Sequence, residues 1–268
     1  MKLIMVASAT GGAAKTTTAV RLGQALNACR VPTGILDLSP YPTAAELART
    51  GLRNRPDWAG PMPVLLGRGA TTAIAAGSIL KPYEGKLKAL VVDTGRLDDP
   101  ILRPWASLLS ALILTTRGDR FSLSALDGVG PWLADLRTLN PQLQFLGFLP
   151  VALAPGEGDA LLDLKRAAGR YLLPFTVPEE EAEWARSHAS LIEGLEAGGP
   201  AGVPPDSMEA AHAGLAQHVA AALGLEPLPA PAPDAPPAKP KEVGLISRLW
   251  KLAGRATGPK VVVEPART

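Results

Sequence analysis

A run of small residues with one lysine, residues 9–17, constrains the fold of this chain more than any other feature. It reads Ala-Thr-Gly-Gly-Ala-Ala-Lys-Thr-Thr and follows an apolar segment, residues 3–7, that has the composition of a buried strand. Small residues let backbone N–H groups close around an anion at the positive end of the helix that follows. We therefore predict a phosphate-binding loop made of Thr10, Gly11, Gly12, Ala13, Ala14, Lys15, Thr16 and Thr17. The alternative is a plain strand-to-helix turn in which the lysine has no ligand.

The remaining pattern predicts an α/β fold with a doubly wound, mostly parallel sheet flanked by helices. Short apolar runs alternate with helix-period segments, as in βαβ units. Strands are predicted at residues 3–7, 33–38, 89–93, 111–115 and 145–149, with weaker ones near Val64 and Phe175. Helices are predicted at residues 16–29, 44–50, 123–139, 159–171, 179–193 and 207–223.

Composition divides the chain into a globular part and a tail. The 268 residues, 47% of them hydrophobic, are enough for one domain over residues 1–224. Seven prolines among alanines predict an extended linker at residues 225–241, followed by a short helix at 242–256 and a disordered end at 257–268. Basic residues are in excess only after residue 224, which argues against a large nucleic-acid-binding surface on the globular part. Neither a membrane-spanning run nor a signal peptide is recognisable, so we expect a cytoplasmic protein.

Residues suited to metal chemistry stand at the ends of two predicted strands. Asp93 ends an apolar strand, where a carboxylate can bind Mg²⁺ or a water attached to it, and the Thr16 hydroxyl would join the same shell. Asp37 ends another strand and is a second candidate for catalysis. Both aspartates have a structural alternative, because Asp commonly forms turns and caps helices.

Several motifs in order resemble the ParA/MinD family of deviant Walker ATPases over residues 2–224. They are the loop at residues 9–17, Ile35-Leu36-Asp37-Leu38-Ser39-Pro40, Leu90-Val91-Val92-Asp93-Thr94-Gly95 and Val177-Pro178-Glu179-Glu180-Glu181. The resemblance implies that the chain binds ATP or ADP with Mg²⁺ through Lys15, Thr16 and Asp93. It also implies a nucleotide-dependent homodimer that works with an adaptor or cargo protein.

Three positions depart from the family pattern. Thr10 stands where the family has the lysine that reaches the other subunit, and Ser39 stands where it has an aspartate that positions water. Ala14 replaces a glycine, a change that is tolerated easily only if φ is negative. We therefore predict nucleotide binding with weak hydrolysis.

The predicted tail helix separates an apolar face from a basic face. At about 100° per residue, Trp250 and its apolar neighbours face away from Arg248 and Lys251. Such a helix fits the surface of an anionic membrane at the inner face of the cell envelope, a groove in a partner protein, or the core of its own domain. The residues predicted to make this contact are Leu245, Ile246, Leu249, Trp250, Leu252, Arg248 and Lys251.

The sequence supports three functions. The first is a ParA/MinD-like nucleotide-dependent dimeric switch that positions or partitions a plasmid, a chromosome or membrane-associated machinery. The second is a catalytically inactive scaffold that docks through its C-terminal helix, and the third is an ATP-dependent ligase of the same superfamily. Non-specific DNA binding would use scattered basic residues, namely Arg53, Arg55, Arg68, Lys81, Lys86 and Lys88.

Overall fold

Each apolar run predicted as a strand pairs in parallel with its neighbours in one sheet. The computed structural model describes residues 1–39, 43–52, 62–95, 97, 99–153, 158–178 and 208–229. The strands are β1 (Lys2–Ala7), β2 (Thr33–Asp37), β3 (Val64–Leu66), β4 (Ala89–Asp93), β5 (Ala111–Thr116), β6 (Gln144–Leu153) and β7 (Val177–Pro178). Their order is β3-β2-β4-β1-β5-β6-β7. The predicted α/β fold with a parallel sheet is confirmed.

Helices connect the strands and cover both faces of the sheet. They are α1 (Lys15–Ala28), α2 (Thr43–Leu52), α3 (Ala73–Leu80), α4 (Arg103–Ala106), α5 (Arg120–Ala125), α6 (Val129–Leu139), α7 (Gly158–Ala168) and α8 (Met208–Leu223). Because parallel strands need a crossover between them, every strand ends at the same edge of the sheet. No helix in the described part of the chain is long and apolar enough to cross a membrane.

Two cores lie on opposite faces of the sheet. Alternate residues of β1 show the division, because Ile4 and Val6 belong to the core under α1, α2 and α8. Leu3 and Met5 belong to the other core, which includes Trp105 and residues of α3, α4 and α6. The period of two in a strand sends successive side chains to opposite faces. The sheet is therefore buried on both sides, which explains its continuous apolar runs.

The helix predicted for residues 123–139 is two helices. Asp119 caps α5 by accepting a hydrogen bond from Ser122 N at 2.9 Å, and a 3₁₀ turn at Leu126–Gly128 separates α5 from α6. Pro131 lies in the first turn of α6, where its missing N–H leaves no helical bond unmade. Helix α3 was not predicted from the sequence. Thr72 caps it by accepting a hydrogen bond from Ala75 N. The helix predicted for residues 179–193 lies outside the described residues.

Strand β6 contains a bulge that only glycine fits. Its register against β5 shifts between Leu112 and Ile113, and Gly147 has φ +140°. A Cβ at this position would lie 2.4 Å from the carbonyl oxygen of Tyr171. The bulge thus brings the 3₁₀ turn Gly169–Tyr171 directly against β6.

The chain after α8 stays attached to the domain at the amino ends of the strands. Leu228 N donates to Arg30 O at 2.8 Å, and the side chains of Arg30 and Lys88 donate to the carbonyls of Pro229 and Glu226. Arg30 and Lys88 precede β2 and β4, so this attachment lies at the edge opposite the carboxyl ends of the strands. The linker predicted from residue 225 is thus held to the domain as far as Pro229, and the rest of it lies outside the described residues.

Candidate functional site

The predicted phosphate loop and both strand-end aspartates meet at one edge of the sheet. The loop follows β1, and β4 pairs with β1 so that Val6 is opposite Asp93. Strand β2 pairs with β4 so that Asp37 is opposite Asp93. Strands β2 to β4 lie on one side of β1 and strands β5 to β7 lie on the other, so the direction in which successive strands are added changes at β1. Such a switch point at the carboxyl ends of parallel strands is where α/β proteins bind ligands.

The loop ends at a helix N-terminus that no side chain caps. Helix α1 begins at Lys15, has no acidic residue in its first turn, and receives no side-chain hydrogen bond at Ala14. Around Gly11 and Gly12, the space that a Cβ would occupy is open. The first N–H groups of a helix lack helical partners and carry a partial positive charge. This end of α1 is therefore suited to an anion.

Ala14 occupies a left-handed backbone conformation, with φ 48° and ψ 28°. An alanine there costs about 1 to 2 kcal/mol relative to the right-handed region, because its Cβ crowds the following carbonyl oxygen. Only Ala14, Arg30 and Ala152 have positive φ among the described non-glycine residues. The loop therefore accommodates an alanine at this position with strain.

Thr10 is bound into its own domain. Its N–H donates to Ser8 Oγ at 3.1 Å, and its carbonyl accepts from Ser8 Oγ at 2.7 Å. Thr10 Oγ1 lies 3.4 Å from Ser122 Oγ, which donates its own proton to Asp119 at 3.0 Å, so Thr10 is the donor to Ser122. Thr10 is 7% exposed, so its side chain is held inside the domain.

Lys15 and Thr16 begin α1 beside this loop. Lys15 Nζ lies 3.5 Å from the carbonyl oxygen of Thr10, so its ammonium bends back over the loop. Both residues influence the pKa of Asp93, which places the lysine, the hydroxyl and the carboxylate in one cluster. The cluster that the sequence predicted at the end of β4 is thus brought together by the β1–α1 connection.

Asp93 is fully buried, and its carboxylate has no hydrogen-bond donor among the described residues. Burial first, and the nearby Asp37 carboxylate second, raise its pKa from the ordinary value of 3.8 to a net value of about 7. The Thr16 hydroxyl and the Lys15 ammonium lie near enough to oppose this shift. No donor reaches either oxygen in hydrogen-bond geometry, however. A buried carboxylate in this state is an open ligand position.

Asp37, in contrast, is saturated with hydrogen bonds. One carboxylate oxygen accepts from the backbone N–H of Ser39 at 2.9 Å and from the Ser39 hydroxyl, and the other accepts from Ala45 N at 3.3 Å in the first turn of α2. The carboxylate thus fixes the turn after β2 and the start of α2. These contacts support the structural reading of Asp37, and its catalytic role remains a prediction.

The residues present fit Mg²⁺ held together with phosphate. Magnesium keeps several waters and takes one or two protein carboxylates, while phosphate supplies further oxygens. Asp93 offers an unsatisfied carboxylate, and Thr16 offers a hydroxyl beside it. Among the described residues there is no group of three or more His, Cys, Asp or Glu side chains that could hold a metal alone. The site therefore fits a metal that arrives with a ligand.

Sequence reasoning missed the hydroxyls that shape the loop. Ser8 and Ser122 organise Thr10, and Thr94 Oγ1 donates to Val6 O at 3.0 Å beneath it. The spacing Asp119-x-x-Ser122 is a helix-cap pattern that was readable from the sequence, but its contact with the loop was not. The predicted tail contacts, Leu245 to Lys251 among them, lie outside the described residues. His212 is buried on α8 and His218 packs against Phe175, so neither joins the site.

Comparison with solved structures shows the same architecture in several nucleotide-binding proteins. MinD of Aquifex aeolicus, in its complex with MinC, superposes with a TM-score of 0.60 at 13% identity, covering 87% of this chain and 99% of that one. A single-residue variant of Cyanothece McdA in complex with ATP gives 0.58 at 18% identity, covering 86% and 99%. Cobyrinic acid a,c-diamide synthase of Mycobacterium smegmatis, with an ATP analogue and magnesium, gives 0.59 at 18% identity, covering 86% and 100%.

The chain has the ParA/MinD-type P-loop fold. No protein-family model matches it, and no curated protein sequence does. At these identities the similarity establishes the fold, which is the one that the motifs at residues 9–17, Asp37 and Asp93 predicted. The same fold also serves the synthase, so the architecture alone does not select among the three functions.

Burial of Asp93 predicts a specific pH dependence of stability. Because the folded pKa is raised, the folded protein keeps a proton that the unfolded chain loses between pH 3.8 and about 7. The free energy of unfolding of the ligand-free protein should therefore fall as pH rises through this interval, by up to about 4 kcal/mol. In Asp93→Asn this contribution disappears, which urea unfolding from pH 5 to 8 would measure. The exposed Asp135→Asn serves as control, and a parallel pH dependence in Asp93→Asn and the wild type would contradict the assignment.

Strain at Ala14 predicts that Ala14→Gly stabilises the protein. Glycine removes the Cβ that φ 48° disfavours, so the free energy of unfolding should rise by about 1 kcal/mol. Ala25→Gly, in the interior of the same helix, should lower it by a similar amount. If both variants lose stability in urea unfolding, the strain at Ala14 is not real.

Proposed function

We propose that this chain is a nucleotide-dependent dimeric switch of the ParA/MinD type, which binds ATP with Mg²⁺ and positions a cargo through a protein partner. The observation that carries the proposal is the cluster of Lys15, Thr16 and Asp93 at the uncapped start of α1. The MinD and McdA structures with the same fold are complexes with MinC and with ATP, respectively, which supports the class of ligand and partner.

Each residue of the site has a defined task in nucleotide binding. Backbone N–H groups of the loop and the start of α1 surround the phosphates, and Lys15 swings from the Thr10 carbonyl to neutralise their charge. Asp93 and the Thr16 hydroxyl would hold the metal, whose positive charge would favour the ionised form of Asp93. Magnesium, when bound, supplies charge neutralisation for the phosphates. Binding would thus compensate for two unfavourable features of the ligand-free state, which are the desolvated carboxylate of Asp93 and the uncapped start of α1.

Hydrolysis is weak in this proposal because the groups that would promote it are committed elsewhere. Phosphoryl transfer needs a positioned nucleophile and additional positive charge at the transition state. Thr10 is neutral and bonded to Ser122, while Ser39 is bonded to Asp37. Neither can supply a second cation or a free carboxylate base. A switch that depends on binding retains its function under these conditions.

Nucleotide should shift the chain from monomer to dimer, and Lys15→Ala should abolish that shift. The reason is that removal of the ammonium leaves the phosphate charge uncompensated at the start of α1. Light scattering coupled to size exclusion, with and without ATP and Mg²⁺, measures the effect. Lys165→Ala, an exposed lysine on α7, is the matched control and should behave as the wild type. An unchanged wild-type mass with bound ATP would remove the switch from the proposal, and absence of ATP binding by calorimetry would favour the inactive scaffold.

The synthase provides a second candidate function with its own observation. Its structure with an ATP analogue and magnesium has the same fold over 86% of this chain. An ATP-dependent ligase would release phosphate only when a carboxylate substrate and an amine are present. Phosphate release that depends on cobyrinic acid and ammonia would establish this function, whereas a switch would show a turnover indifferent to both. His212 and His218 pack in the domain and offer no acid or base to such a reaction.

The tail helix is proposed as the attachment to an anionic membrane. Its sequence places Leu249 and Trp250 on one face and Arg248 and Lys251 on the other. The side chains of Arg30 and Lys88 donate hydrogen bonds to the carbonyls of Pro229 and Glu226. These bonds hold the start of the linker at the edge of the sheet opposite the phosphate loop.

Deletion of residues 243–255 should abolish binding to anionic vesicles. The full chain should sediment with vesicles of phosphatidylglycerol and phosphatidylcholine but not with phosphatidylcholine alone, because the basic face needs anionic headgroups. Leu249→Glu should behave like the deletion, since it places a charge on the apolar face. Equal sedimentation of the full chain and the deletion would mean that the tail serves another purpose.

A further inference from the structure

An open groove lies between α6 and β6, away from the phosphate loop. Its volume is about 670 Å³, and α6 forms one wall while aromatic residues form the other. The lining residues are Leu126, Val129, Gly130, Leu133, Ala134, Arg137, Thr138, Phe145, Phe148 and Tyr171. Phe145 is the second residue of β6, so the groove begins near the amino ends of the strands, whereas the loop follows the carboxyl end of β1.

The wall that α6 forms carries small residues, and the opposite side of α6 is anchored to the domain. Gly130 and Ala134 are exposed one turn apart, and a Cβ on Gly130 would meet nothing within 4 Å. Behind them, Leu136 is buried in the core and Trp132 Nε1 donates to Leu97 O at 2.9 Å. Exposed small residues at this spacing allow the backbone of another helix to approach closely. The wall is therefore formed before any partner binds, which reduces the entropy lost on binding.

The opposite wall is an aromatic cluster. Phe145 packs edge-on against Phe148 with ring centroids 5.2 Å apart, and against Tyr171 with centroids 5.7 Å apart. Tyr171 is 43% exposed within this cluster. Aromatic residues that stay accessible in a concave surface are typical of sites that anchor large apolar side chains.

Among the described lining residues of the groove, one is charged and it is a cation. Arg137 belongs to the lining, and the Arg170 guanidinium lies 5.0 Å from the centre of the Tyr171 ring at the rim. No acidic side chain is among the described lining residues, and the exposed Asp127 and Asp135 follow the lining residues Leu126 and Ala134 in the chain. A partner that fills the apolar walls must therefore bring acidic groups to the rim.

We infer that the groove binds an acidic amphipathic helix of a partner protein. Large apolar residues of that helix at i, i+3 or i+4 insert between α6 and the aromatic wall, and its acidic residues pair with Arg137 and Arg170. A helix along α6 covers the 11 residues of Val129–Leu139, which is about 16 Å. The inference does not rest on nucleotide binding, because none of these residues belongs to the phosphate site.

Selection of peptides from a random 16-residue display library on the full-length, nucleotide-free chain tests the proposal. Selected peptides should combine acidic residues with large apolar residues at helical spacing. Their affinity, measured by fluorescence anisotropy with the synthetic peptides, should fall at least tenfold for Ala134→Trp, which fills the groove, and for Arg137→Glu. Lys81→Glu makes the same charge change at an exposed site outside the lining and should have no effect. Circular dichroism checks that Ala134→Trp, an exposed substitution, remains folded.

Other outcomes overturn the proposal. Selected peptides that are basic, or that bind Ala134→Trp with unchanged affinity, would show that this groove is not the site. A wild-type dimer without nucleotide that Ala134→Trp dissociates would make a second copy of the chain the occupant. Tighter peptide binding after deletion of residues 242–256 would mean that the chain's own tail competes for the groove. Recovery of no binding peptide also counts against it.

Discussion

Burial of Asp93 at the end of the central strands is the constraint on which the site depends. The carboxylate lies in a fully enclosed position because β1, β2 and β4 surround it and both faces of the sheet are covered. Ionisation there without a donor is unfavourable, so the pKa is raised to about 7. The uncapped start of α1 and the Lys15 ammonium stand beside it. A phosphate-bound cation would satisfy all three groups together, and this shared need is the physical basis of the proposed nucleotide site.

Thr10 and Ser39, at which the sequence departs from the ParA/MinD pattern, form hydrogen bonds within the domain. Thr10 joins Ser122 and Asp119 at the cap of α5, and Ser39 joins Asp37 at the turn before α2. The hydroxyl groups of Thr10 and Ser39 are therefore engaged inside the domain. The loop keeps its shape at the same time, since Ala14 accepts the left-handed conformation that a glycine would adopt freely. In the proposed function, this arrangement is compatible with nucleotide binding and offers little to hydrolysis.

Two further features of the described domain lie outside the phosphate loop. The groove along α6 presents aromatic and small residues under a positive rim. The chain leaves the domain at the amino ends of the strands, where Arg30 holds the segment that ends at Pro229. The phosphate loop, the groove and the residues up to Pro229 are thus separate features of the described domain.

The sequence by itself determined the features that depend on neighbours along the chain. Alternating apolar runs predicted the parallel sheet, and the small residues before Lys15 predicted the loop, because strand period and loop composition are local properties. Tertiary structure decided the rest: the raised pKa of Asp93, the partners of Asp37 and Thr10, the division of the predicted helix into α5 and α6, and the groove. Burial, cross-strand register and contacts between distant residues set each of these. The sequence does not distinguish two kinds of aspartate at the end of a strand. Asp37 caps a helix, whereas Asp93 is buried and its carboxylate has no hydrogen-bond partner among the described residues. Only the chain folded around it distinguishes the two.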